Sequence, residues 1–359
     1  MPEEVRRATR KDVARIAGTS VAVVSYVVNN GPRPVASETR KRVLRAIDAT
    51  GYRPDPTART LVSGVSGVLG IIVPDISNTF FAALAHAIDE AAHKKSKRLL
   101  LGDSAEGAVR EAELVEEFIR RRVDGLLYVG LERREHLEAA YAAGIPVVIL
   151  DRLADDSPAA SVVIDNEGGA HAATMHLIEH GYTEVGIISG PAELSTTVDR
   201  SAGWQRALLQ SQLVVNDEWN ISAPFTKSGG LSAGRSLFSR ERRPRAVFAS
   251  NDQQAVGLLV AAAERGIRVP EDLAIFAFDG TPDTEFSVPG LSTVAQPLED
   301  IARHAIELIV TPDASSDRRV MCDYSLITRR SCGCDGRETG THEIKTTQGA
   351  ETNDQENHT

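Results

Sequence analysis

Thr9 to Asn30, TRKDVARIAGTSVAVVSYVVNN, constrains this chain more than any other stretch, because it specifies two short helices separated by a tight turn. Thr9 followed three residues later by Asp12 is a capping-box-like start, and Val13, Ala14, Ile16 and Ala17 supply the apolar positions of a first helix that Gly18 stops. Ser20 is a good N-cap for a second helix, in which Val24, Val27 and Val28 are spaced to pack against the first. Its other face is then Val21, Ala22, Ser25, Tyr26 and Asn29. A helix backed by another across a turn of about three to four residues is the geometry that sets an outer face into the major groove of DNA. The competing reading is a helical hairpin inside an all-α domain.

Charge separates the two readings. A third helix is expected from Ser37, with Val43, Leu44 and Ile47 on one face, Arg40, Lys41, Arg42 and Arg45 around it, and Gly51 as a left-handed cap. Residues 1–62 hold 12 Lys/Arg against 6 Asp/Glu, a local net of +6, while the whole chain carries −10 and the remainder therefore −16. A basic head on an acidic body fits a phosphate-binding module better than a general solvated surface.

The 359 residues allow two or three domains, with 42% hydrophobic and 25% charged residues as in ordinary globular proteins. No apolar run is long enough to cross a membrane, and the start MPEEVRRATRK lacks the apolar segment of a secretory signal, so a cytoplasmic location is expected. Three cysteines, Cys322, Cys332 and Cys334, are too few and too clustered for a disulfide framework. Cys332-Gly-Cys334 with His342 lacks a fourth ligand and fits no zinc spacing, so neither metal nor cofactor is expected.

From Val68 onward, short apolar runs alternate with amphipathic stretches. Strands are predicted at 68–73, 97–102, 124–129, 146–150, 161–164, 184–188, 245–249 and 273–278, with helices at 79–95, 105–122, 132–143, 166–180, 197–212, 229–240, 251–265 and 297–310. Such βαβ alternation implies α/β structure with parallel sheets covered by helices on both faces. One large sheet, a barrel and two lobes all remain open to this pattern. Gly64, Gly67 and Gly70 precede a strand instead of following one, which excludes a dinucleotide fingerprint. There is no nucleophile elbow, P-loop or H-E-x-x-H to support an enzyme, and the basic head argues against a carbohydrate receptor serving transport.

The runs DVARIAGTS…VVSYVVNN and ETRKRVLRAIDATGYRPDPTARTL resemble the DNA-binding head of the lactose-repressor (LacI/GalR-type) family of bacterial transcriptional regulators, and the resemblance continues to about Arg330. It implies a helix-turn-helix head at 1–55 and a hinge helix with linker at 56–65. It implies next a periplasmic-binding-protein-like domain with lobes at 66–163 plus 296–312 and 164–293 plus 318–331, the chain crossing between them three times. Residues 333–359 are polar and are expected to be disordered.

By the same resemblance Thr9, Ser20, Val21, Ala22, Ser25, Tyr26 and Asn29 would meet operator DNA, with Ala58 and Leu61 from the hinge. Leu61 stands where relatives push a leucine into the minor groove, and six residues from Pro56 are too few for a helix stable by itself. The matching effector positions are Phe80, Phe81, Asp151, Thr196, Arg200, Phe225, Asn251, Asp279 and Gln296. Most of these follow strands, where open α/β sheets bind ligands. Carboxylates accept paired hydroxyl hydrogens and a ring covers the apolar face of a sugar, so a sugar-like effector is expected. The implied whole is a ligand-controlled repressor, a homodimer on palindromic double-stranded DNA.

Two departures from the family pattern matter. Val21, Ala22 and Tyr26 stand where relatives often carry arginine or other polar side chains, so which bases they read does not follow from the sequence. Leu194 falls where purine-responding relatives carry an arginine, which weakens a nucleobase as effector. Asp252, at the start of a helix, is read as its N-cap.

Overall fold

Asp12 closes the first turn of α1 (Arg10–Ala17) by accepting from the Thr9 backbone N–H at 2.9 Å and from its hydroxyl at 2.7 Å. Gly18 ends the helix at φ 61°, a conformation glycine adopts without cost. Ser20 Oγ then accepts from the Val23 N–H at 3.3 Å and starts α2 (Val21–Val28). Helix α3 (Ser37–Thr50) ends on Gly51 at φ 62°. Just beyond it, the buried Tyr52 accepts a hydrogen bond from Arg10 Nε at 3.0 Å, which ties the end of the three-helix unit to its start.

The head core is Val13, Ala14, Ala17, Val24, Val27, Val43, Ala46 and Tyr52. Ile16 and Leu44, predicted to be core, are 50% and 47% exposed. At about 100° per residue, each lies roughly 100° round its helix from the centre of the buried stripe, and Ala46 takes the inner place beside Val43.

The structure is a computed structural model that describes residues 8–29, 33–53, 64–130, 134–151, 160–311, 319–334 and 341–343. The chain divides into two compact units, Met1–Ser66 and Gly67–Thr359. In the second, β1 (Val68–Val73), α4 (Thr79–Lys94), β2 (Arg98–Asp103), α5 (Ala108–Arg120), β3 (Leu126–Tyr128), α6 (Arg134–Ala142), β4 (Val147–Leu150) and β5 (Ala160–Ile164) alternate in sequence. There follow α7 (Asn166–Glu179), β6 (Val185–Ser189), α8 (Ser195–Gln210), β7 (Asn220–Ser222), α9 (Lys227–Phe238), β8 (Ala246–Ala249), α10 (Asp252–Glu264) and β9 (Ala274–Asp279). The last elements are α11 (Asp283–Phe286), β10 (Ser292–Ala295), α12 (Leu298–Val310), β11 (Arg319–Cys322), β12 (Ser325–Ile327) and β13 (Thr341–Glu343).

Two sheets result, and these are the two lobes. The first is parallel throughout, in the order β11-β5-β4-β3-β1-β2. The second runs β13-β12-β10-β9-β8-β6-β7, with antiparallel pairing only at β10, β12 and β13. Strands buried on both faces read as continuous apolar runs, and β4 (VVIL) and β9 (AIFAFD) are buried at every position.

Two expectations about the end of the chain need correction. The segment 318–331 does not lie wholly in the second lobe, because β11 pairs in parallel with β5 from Arg319↔Ser161 to Cys322↔Ile164 and so edges the first sheet. The chain returns to the second sheet only at β12. Nor is 333–359 structureless throughout: Thr341–Glu343 pair with Ser325–Ile327 and cover the otherwise open edge of β12. The rest of the tail beyond Cys334 lies outside the described residues. The short strands β7, β10, β11 and β12 have no counterpart among the predicted elements, since three or four residues are too few to show a period.

Candidate functional site

In the head, α2 presents Val21, Ala22 and Asn29 to solvent, with Ser25 and Tyr26 half-buried between them. Asn29 Nδ2 donates to Ser25 Oγ at 3.2 Å, so these two polar groups act as one unit. Ser20 caps α2 through its side chain, and Thr9 donates from its backbone N–H and its hydroxyl to Asp12, so the two residues fix where α2 and α1 begin. Lys11, Arg15, Arg33, Lys41, Arg42 and Arg45 are exposed on the same unit. Ala58 and Leu61 lie outside the described residues.

In the second unit, a cleft between the lobes is lined by Asp75, Asn78, Phe80, Phe81, Glu106, Asp151, Thr196, Arg200, Phe225, Asn251 and Asp279. Eight of the nine residues predicted to contact an effector are in this lining. The ninth, Gln296, stands one step behind and donates from Nε2 to Asp279 Oδ1 at 3.0 Å. From the first lobe come Phe80 and Phe81, at the N-terminus of α4, with rings 5.3 Å apart and inclined by 67°. Asn78 aims them by accepting from the Phe80 N–H at 3.0 Å.

Arg200, on α8, is buried and held from several sides. Its Nε donates to Asn166 Oδ1 at 2.9 Å and its Nη1 to the Ser250 carbonyl at 2.7 Å. The guanidinium carbon lies 3.8 Å from the centre of the Phe278 ring, a cation–π geometry. Asp279 Oδ1 is 3.6 Å from Nη1. Burial pushes the Asp279 carboxyl well above the usual range. Arg200 pulls it down, Asp252 and Asp151 raise it further, and the Gln296 hydrogen bond lowers it.

Asp151, just past β4, and Asp279, the last residue of β9, have φ of 66° and 114°, conformations that non-glycine residues rarely hold and that cluster at ligand sites. Phe225 reaches the lining only because residue 190 is glycine. A Cβ there would fall 2.2 Å from the Phe225 ring and 2.4 Å from Thr197 Oγ1.

Asn251 is in the lining, but both ends of its amide are occupied. Oδ1 caps α10 by accepting from the Gln254 N–H at 2.8 Å, and Nδ2 donates to the Phe225 carbonyl at 3.2 Å. The cap of α10 is therefore Asn251 and not Asp252. Asp252 is fully buried and accepts from the Thr281 N–H at 2.6 Å and from Thr293 Oγ1 at 2.7 Å, and burial pushes its carboxyl up to about 7.

Sequence reasoning missed Glu106, although it follows β2 and the strand-end rule that found the others would have reached it. It also missed a polar latch across the mouth. Thr79 Oγ1 of the first lobe donates to Asp283 Oδ2 at 3.3 Å, and Gln253 Nε2 donates to both, at 2.9 and 3.1 Å. Lys227 Nζ sits 3.0 Å from the same Asp283 oxygen. With the latch made, the free space inside is about 20 Å³, roughly one water's room, whereas sites that enclose a small molecule need about 300 Å³ or more. In this arrangement of the lobes the cleft has no room for a molecule of that size.

Among known proteins, a family model described as bacterial regulatory proteins, lacI family, matches residues 9–55. One described as a periplasmic binding protein-like domain matches residues 174–332. Catabolite control protein A of Priestia megaterium is 35% identical over 300 residues, 83% of this chain and 90% of its own. The HTH-type transcriptional repressor PurR of Photobacterium profundum is 32% identical over 330 residues, 90% of this chain and 98% of its own. A solved complex of the transcriptional regulator CelR with cellobiose is 28% identical, with a TM-score of 0.67, covering 90% of this chain and 100% of that one.

Proposed function

Because the chain belongs to the lacI family of bacterial regulatory proteins, we propose that it is a repressor acting as a homodimer on a palindromic operator and controlled by a sugar-like molecule in the cleft between its lobes. Sequence-specific DNA-binding regulation is the family's activity, and the head carries the helix pair and the positive charge for it. Two copies related by a two-fold axis place two α2 helices on half-sites about one helical turn of DNA apart. In this reading Leu61 of the hinge enters the minor groove between them. The protein works in the cytoplasm, where operator DNA is, and its cleft binds without performing a reaction.

The observation that carries the effector assignment is the buried Arg200–Asp279 pair facing Phe80 and Phe81 across the lobes. A sugar offers hydroxyls to both charged groups and an apolar ring face to the aromatic pair. The CelR–cellobiose complex supports a saccharide, and Leu194, apolar and buried at the start of α8, offers a nucleobase no hydrogen bond. Control of DNA follows if the ligand prefers one arrangement of the lobes, since only a difference in affinity for two states shifts their balance.

The test is a thermal-shift screen of the full chain against sugars, polyols and nucleobases. A ligand at 100 times its dissociation constant adds about 2.7 kcal/mol of stability. Stabilisation by a saccharide that also alters operator binding is the expected result; stabilisation by nucleobases alone would overturn the sugar assignment.

A further inference from the structure

Outside the cleft lining, the chain brings four metal-ligating side chains to one point. His176, on α7, and His180, the C-cap that follows its last residue, are one turn apart and share a face. Cys332 and Cys334 flank Gly333, whose φ of 103° reverses the chain and turns both sulfurs toward that face. Cys332 Sγ lies 3.2 Å from His176 Nε2, and Cys334 Sγ lies 3.5 Å from the same nitrogen and 3.3 Å from His180 Nε2. The four ligand atoms all fall within 4.8 Å of one another. The reason for expecting no metal, a missing fourth ligand, therefore does not hold. The two histidines stand in place of His342 and are supplied from more than 150 residues away.

We propose that His176, His180, Cys332 and Cys334 form a structural zinc site. A tetrahedral zinc with Zn–S near 2.3 Å and Zn–N near 2.0–2.1 Å sets neighbouring nitrogen and sulfur ligands about 3.5 Å apart, and the three separations in the structure, 3.2, 3.3 and 3.5 Å, come within a few tenths of an ångström of that length. The donor set decides the ion. Two thiolates and two imidazoles suit zinc, while calcium and magnesium require oxygen. Four protein ligands leave no open position, so the ion holds structure and takes no part in a reaction.

Binding replaces two S–H protons, which leave to solvent. The resulting Zn(Cys)2(His)2 centre is neutral overall, and the Cys332 thiol's contact with the Arg329 carbonyl at 3.3 Å is given up. His176 is already set, its ring edge-on to Phe276 of β9 at 5.2 Å, and Cys332 is fully buried. His180 is exposed and Cys334 partly so, which gives the ion a path in. The metal would fasten the turn at Arg330–Cys332 to the last turn of α7, closing the C-terminal part of the second lobe onto the helix whose first residue, Asn166, holds Arg200.

The test uses the full chain freed of any histidine tag, dialysed against micromolar zinc and analysed for bound metal by mass spectrometry. About one zinc per chain is expected, falling to roughly a tenth or less at equal free zinc in Cys334→Ser and in His180→Asn. These two positions are solvent-accessible, so the variants keep their circular dichroism, whereas Cys332→Ser at a fully buried site is a less clean variant. Cobalt(II) added in place of zinc should give the strong visible bands of a tetrahedral thiolate site, absent in both variants. Wild-type protein that binds no more zinc than the Cys334→Ser/His180→Asn double variant, or a cobalt spectrum that the variants share, would overturn the proposal.

Discussion

Arg200 and Asp279 face each other at 3.6 Å in a wall of the cleft, a distance that leaves them an ion pair without a direct hydrogen bond. Each is hydrogen-bonded elsewhere, Arg200 to Asn166 and Ser250 and Asp279 to Gln296. A ligand hydroxyl that donates to Asp279 and accepts from Arg200 would complete the pair with charge-assisted bonds.

Asp279→Asn and Arg200→Lys should therefore keep operator binding without ligand and lose ligand-induced thermal stabilisation. The coupling between ligand and operator should fall by about 1–3 kcal/mol, read as operator affinity with and without ligand. Arg200→Ala should in addition lower stability by about 1–3 kcal/mol, because Asn166 and the Ser250 carbonyl lose their buried donor. Unchanged ligand affinity in Asp279→Asn would move the contacts to Phe80 and Asp151.

The Thr79–Asp283–Gln253 latch holds the lobes closed through the half-buried Thr79 and Asp283 and the buried Gln253, and hydrogen bonds of this kind contribute about 1 kcal/mol. Asp283→Ala should raise hydrogen exchange at the backbone amides of Phe80 to Ala82 by up to about fivefold while leaving the sheet strands protected. Equal acceleration throughout the lobe would mean that the variant destabilises the fold instead of opening the cleft.

On the head, operator affinity should fall steeply with salt, as expected when several phosphates are neutralised. Tyr26→Ala should cost about 1–3 kcal/mol on the preferred sequence and relax preference at one position in each half-site. A loss equal on all sequences would assign Tyr26 to a phosphate or to packing.

Asp252 is buried in the second lobe with its carboxyl pushed up to about 7, against an ordinary value of 3.8. The folded state then binds the proton more tightly than the unfolded one. The stability this contributes is fully present below about pH 3.8 and is lost as pH rises through about 7. Between pH 5 and pH 8 the melting temperature of the wild type should therefore fall relative to that of Asp252→Asn, by the equivalent of a few kcal/mol, on the order of 1.4 per pH unit crossed. Parallel melting curves across that range would show that Thr281 and Thr293 keep the carboxylate charged.

What was legible in the sequence is what short-range physics decides. Thr9 with Asp12, Gly18, Ser20 and Gly51 act within one helical turn of themselves, so the ends of α1, α2 and α3 could be placed from residue identity alone. The apolar runs of β1, β4 and β9 announce strands covered on both faces for the same reason, and the strand-end rule led to most of the cleft lining. Tertiary structure decided everything that depends on which distant segments meet. Asn251 and Asp252 are adjacent acceptors at a helix start, and only the arrival of Thr281 and Thr293 makes one the cap and the other a buried acid. Strand β11 could have joined either sheet until β5 offered its edge. His176, His180, Cys332 and Cys334 carry no common spacing pattern, because their meeting is set by the packing of α7 on β9 and by one left-handed glycine, not by distance along the chain.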